Sequence, residues 1–169
     1  MASFDEHTYQ AKKNLTFLSL VNSHSPTFID WQTTIAFYTA LHLINAHIAK
    51  TSGQRYITHA QVDGVINPFV RPPQASRIPQ EVYTAYTSLK NLSRRSRYLV
   101  SHIPANNENR AFVLKDKHFA KAIRLLDVIM VYMFNKYQVE FQKLYLDCSL
   151  NKKHTCSFFS FDEAPRSIS

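Results

Sequence analysis

Apolar residues recur at steps of three and four along most of this chain, the spacing of one buried helix face. Ala11, Leu15, Leu18 and Val21 form the first such stripe and predict a helix over residues 4–22. Ser3 and Glu6 open it with a capping-box pattern, in which each side chain reaches the other residue's backbone N–H. A Ser25–Pro26 start and the core side Phe28, Trp31, Ile35, Tyr38, Leu41 and Ile48 predict a second helix to residue 50, ended by Gly53 as a left-handed cap. Residues 54–79 are irregular, with one short helix at 59–66; Pro68, Pro72 and Pro73 exclude a longer one. A third helix starts at Pro79 and holds Val82, Ala85, Tyr86, Leu89, Leu92, Ser96, Leu99 and Val100 on one face until residues 103–108 end it. A fourth, capped by Asp116, is predicted to reach residue 148. Between residues 125 and 134 it is apolar almost all round, as expected of a helix covered on two sides, either at the bundle centre or against a second subunit.

The pattern therefore predicts an all-α fold, an antiparallel four- to five-helix bundle in a single domain over residues 1–148. A polar, loosely ordered C-terminal tail is expected over 149–169. Composition sharpens this picture by exclusion. With two glycines in 169 residues, the chain lacks the turns of all-β folds and the phosphate cradles of Rossmann and P-loop proteins. No apolar run is long enough to span a bilayer, and residues 1–6 carry no secretory apolar segment, so a cytoplasmic protein without membrane contact is expected. Cys148 and Cys156, with His154 between them, lack the four-ligand pattern of a zinc site; free thiols are expected and no metal or other cofactor.

Charge adds chemistry. The net charge of +8 favours phosphate polyanions. Lys90, Arg94, Arg95 and Arg97 crowd the end of the third helix, with Lys90, Arg94 and Arg97 on one side and Arg95 with His102 on the other flank. Arg97 and His102 are about 140° apart on an ideal helix, so they can share a ligand only if the helix ends or bends near Ser101. Ile103–Pro104 favours such a break. An Arg beside a His is a minimal kit for metal-independent RNA cleavage. Arg holds the scissile phosphate, His moves protons near neutral pH, and the RNA supplies its own 2′-hydroxyl. A second cluster, Tyr38, His42 and His59 with His47 nearby, reads either as a hydrogen-bonded fastening of the loop or as a small-ligand pocket; it shows no third ligand for a metal. Neither a G-x-S-x-G elbow nor a carboxylate pair is present.

Three stretches give the chain a resemblance. Ala36–Phe37–Tyr38–Thr39–Ala40–Leu41–His42 lies within the helical run 31–46, Thr58–His59 opens the next segment, and residues 89–102 carry spaced leucines with an Arg-rich, Tyr-containing end. In this order they resemble the HEPN domains of prokaryotes, small four- or five-helix bundles. The resemblance implies a metal-independent endoribonuclease motif of Arg, four to six residues, then His. Arg97 to His102 fits with four intervening residues and Arg95 to His102 with six. Tyr98 departs from the polar residue that often follows the Arg in active nucleases. The resemblance further implies a homodimer, RNA as substrate and a role as toxin or defence factor, with Lys90 and Arg94 steering RNA. The alternative it leaves open is a non-catalytic interaction domain that dimerises or pairs with a nucleotidyltransferase or antitoxin partner.

Overall fold

The computed structural model describes residues 2–54, 58–98, 100–103, 108–111 and 115–161; for 100–103 and 108–111 it describes the backbone. The elements are α1 (Phe4–His24), α2 (Ile29–Thr51), α3 (His59–Ile66), α4 (Gln80–Tyr98), β1 (Val100–Ile103), β2 (Glu108–Ala111), α5 (Asp116–Tyr137), β3 (Leu144–Tyr145) and β4 (Phe159–Ser160). The molecule is a helical bundle with α2 at its centre, packed on α1, α4 and α5, while α4 also packs on α5. Capping boxes at Ser3–Glu6 and Thr58–Gln61 start α1 and α3. Gly53, at φ +63°, follows α2 in the left-handed conformation that glycine adopts without cost.

The face that α2 buries agrees with the expected one at Ile35 and Ile48, which are buried, and in part at Leu41, but its centre is shifted. Its core side runs through Ala36, Phe37, Ala40, Leu43, Ile44 and His47, where two alanines admit the neighbouring helices closely. Phe28 and Trp31, expected in the core, are exposed instead, and Tyr38 lies at the boundary. His47 is fully buried. Its Nε2 lies 2.9 Å from the Ser76 carbonyl, which can only accept, so Nε2 carries the proton. Nδ1 then accepts from the Tyr137 hydroxyl at 2.7 Å. One imidazole thereby ties α2, the loop before α4 and the end of α5 together.

Three expectations are corrected. The third predicted helix does not run to residue 102: α4 ends at Tyr98, and β1 pairs antiparallel with β2, placing His102 opposite Asn109. β-branched Val100 and Ile103 suit an extended strand better than a last helical turn. The fourth predicted helix stops at Tyr137, where Gln138 turns left-handed (φ 56°) and its N–H returns to the Phe134 carbonyl at 2.8 Å. The third correction concerns residues 149–161, which are not a loose tail. They fold back over α5, with Cys156, Phe159 and Phe161 buried, and β4 pairs parallel with β3. Asp127 on α5 accepts the backbone N–H of Ser157 and of Phe158, each at 2.9 Å. Buried Asn151 is held by Arg124 and donates to the Ala120 carbonyl at 3.0 Å. The second apolar side of α5 is thus covered by the chain's own residues, with Phe158 edge-on to Phe134 and Phe141. Residues 162–169 lie outside the described residues.

Candidate functional site

The end of α4 is fixed to the start of α2. Ser96, buried in the seam, donates to the Asp30 carbonyl at 3.0 Å and lies 3.1 Å from the Thr34 hydroxyl. This anchoring aims the next residue outward. The Arg97 guanidinium sits 5.9 Å from the centre of the Tyr38 ring and 5.5 Å from that of Tyr98, and it lies 3.5 Å from the Tyr38 hydroxyl. Its Nε turns back to the Ser93 carbonyl at 3.4 Å, leaving the exposed guanidinium held between two partly or largely exposed rings. An Arg on an aromatic face keeps its remaining donors available for phosphate.

Beneath this perch lies an aromatic floor. Phe37 is buried with its ring 5.6 Å from Tyr38, 5.5 Å from His59 and 6.0 Å from Tyr86. His59 occupies the first position of α3, directly after the Thr58 cap, and is exposed. Partial burial pushes its pKa below 6.5, and the positive charges of Arg97 and Lys90 add to this against the opposing charge of Asp63. His59 is therefore mainly neutral at pH 7, in the field of Arg97. Asp63 takes the ammonium of Lys90 and so clamps α3 to α4. The other Asp63 oxygen, Oδ1, and the Tyr86 hydroxyl are buried without a hydrogen-bond partner among the described residues.

The sequence-level candidates thus separate. Tyr38 and His59 meet on Phe37, and Arg97 lies on Tyr38. Lys90, expected to steer RNA, is instead half-buried in its ion pair with Asp63. Arg94 is exposed. Arg95 lies on the opposite flank, towards His118 at the start of α5, whose pKa is lowered by burial first, then by the charges of Lys117 and Arg95. Arg95 and Arg97 therefore do not serve one centre. The helix break that would let Arg97 and His102 share a ligand is present, since α4 ends at Tyr98, but the His102 side chain lies outside the described residues.

The proposed Tyr38–His42–His59 pocket is divided as well. His42 turns to His7 of α1, with the two Nδ1 atoms 3.1 Å apart, so one imidazole donates and the other accepts. Burial and the neighbouring His7 lower the His42 pKa. This clasp was hidden in the sequence because His7 sits 35 positions away. Among the described residues no three His, Cys, Asp or Glu side chains are grouped to hold a metal. Cys148 and Cys156 are buried free thiols, and burial with Asp127 nearby pushes Cys156 up to about 11, so it stays protonated. No helix among the described residues is long and apolar enough to cross a membrane. No protein-family model matches the chain, and neither a curated protein nor a solved structure shows significant similarity to it.

Proposed function

We propose that this chain is an HEPN-like RNA-binding protein that uses the end of α4 as its contact surface and cleaves RNA without metal, in the role of a toxin or defence nuclease. The observation that carries this reading is the exposed Arg97 guanidinium lodged on the Tyr38 and Tyr98 rings beside His59. Aromatic faces stack unpaired bases, a guanidinium grips the phosphate between them, and the net charge of +8 draws the polyanion in. In the chemical step a base takes the proton of the 2′-hydroxyl, whose oxygen attacks phosphorus. The P–O5′ bond breaks, leaving a 2′,3′-cyclic phosphate, and an acid protonates the departing 5′-oxygen. In this reading His102 makes one of these proton transfers and His59 the other, while Arg97 stabilises the charge that develops on phosphate. Homodimerisation, as in the family resembled, would bring two such sets together.

The test is incubation of purified protein with single-stranded and structured RNA in EDTA. Cleavage that yields cyclic phosphate ends, and that Arg97→Ala and His102→Ala abolish with helicity intact, is the expected result. Salt-sensitive binding without cleavage would reduce the reading to an RNA-binding protein. Absence of both would leave the non-catalytic interaction domain, with a nucleotidyltransferase or antitoxin as partner. That second reading has its own support in the exposed aromatic face of α1 and α2.

A further inference from the structure

Trp31 is the chain's one tryptophan, and 61% of its surface is exposed. Phe17, Leu20 and Phe28 beside it are each more than half exposed. Together with Val21 and Ile35 they line an open groove of about 470 Å³ between α1 and α2. The spacing is regular, with Phe17, Leu20 and His24 along α1 and Phe28, Trp31 and Ile35 leading into and along α2, so two helical ridges frame one trough. A contiguous patch of large aromatic and aliphatic side chains on a small domain marks an interaction surface, and Trp is the residue most often found at the energetic centre of one.

The surroundings specify the partner. No acidic side chain lines the groove. Lys13 lies one turn before Phe17 on α1, outside the lining, and is stacked on exposed Tyr9. Tyr38, two turns beyond Trp31 on α2, carries Arg97. A second copy seated here face to face would set its own Lys13 and Arg97 against these cations, which opposes self-association across this face. We propose that the groove docks an acidic amphipathic helix of a partner protein. Its apolar stripe fills the trough against Trp31, and its carboxylates meet Lys13 and Arg97 at the end of the trough away from the α1–α2 turn, a helix-in-groove mode. The docking surface shares Arg97 with the RNA reading, but its apolar trough is distinct and stands without that reading.

Trp31 is a built-in reporter of occupancy. Two designed peptides of about 18 residues, five helical turns, share leucines at steps of three and four; one carries Glu at the remaining positions and the other Lys. The Glu peptide is expected to shift Trp31 emission to the blue saturably, and to do so less as salt rises. The Lys peptide is expected to bind about tenfold more weakly or worse, and Leu20→Ser to weaken the Glu peptide similarly with circular dichroism unchanged. Equal shifts with both peptides, or none at millimolar peptide, would overturn the proposal. So would a shift that follows protein concentration alone while sedimentation shows a dimer, because a second copy would then be the occupant.

Discussion

Arg97 and His47 show how differently two basic side chains are used. Arg97 is held on the surface by rings, with its donors outward. Arg97→Ala is expected to lower RNA affinity about tenfold and to reduce the slope of log affinity against log salt by about one, as loss of one phosphate contact does. Arg95→Ala, on the other flank, should have little effect on a site centred at Tyr38; filter binding across a salt series distinguishes the two. His47 is buried between Tyr137 and Ser76, and burial drives its pKa from 6.5 to about 4. Its neutral form is the one the fold accepts. Its contribution to stability is therefore complete above pH 6.5, declines as pH falls towards 4 and is lost below that. The shift corresponds to about 3 kcal/mol at most, on the order of the total reserve of some domains. Urea denaturation between pH 7 and 4 should show this decline, and His47→Gln should flatten it while lowering stability at pH 7.

At the scale of elements, single polar side chains hold segments that the hydrophobic pattern leaves undecided. Asp127 gathers two backbone N–H groups of the C-terminal segment. Asp127→Ala leaves both donors unpaired and is expected to cost about 2–4 kcal/mol. Amide exchange at residues 157–161 should accelerate more than that of α2. Asn22 plays the same part for the chain after β3, donating to Gln32 Oε1 at 2.8 Å and accepting the Asp147 N–H at 2.6 Å. Neither role is visible in the sequence, because the backbone groups that Asp127 and Asn22 hold lie at least 30 residues away and a buried Asn or Asp in a helix reads as a solvated position. Helix starts are another matter. The boxes at Ser3 and Thr58 are local, so their residues declare them. The same locality explains why α3 lies where the sequence reading put it, whereas α5 stops eleven residues short of the expected 148: the strands that replace its last turns depend on Phe159 and Ser160 far downstream.

For the molecule as a whole, the C-terminal segment is part of the core rather than an appendage. Removal of residues 149–169 would expose the apolar flank of α5 and strip Cys156, Phe159 and Phe161 from the interior. Burying each Phe contributes about 2 kcal/mol, so the truncated chain is expected to melt well below the full one, or to aggregate, in a thermal scan. The amphipathic pattern and the scarcity of glycine made a mostly helical bundle legible from the residues alone, because 3.6-residue periodicity is a property of neighbours in the chain. The basic character of the end of α4 was legible for the same reason. Which cation faces what was decided only by the tertiary structure. Packing of α4 on α2 and α3 put Arg97 on Tyr38 and beside His59, drew Lys90 into an ion pair, and turned Arg95 towards α5. Likewise the sequence marked Trp31 as apolar, but the side of α2 that would be covered depended on how closely α1, α4 and α5 could approach its alanines. Local sequence specifies elements because their hydrogen bonds are local. The partners of a side chain across the bundle are set by packing among residues far apart in the chain.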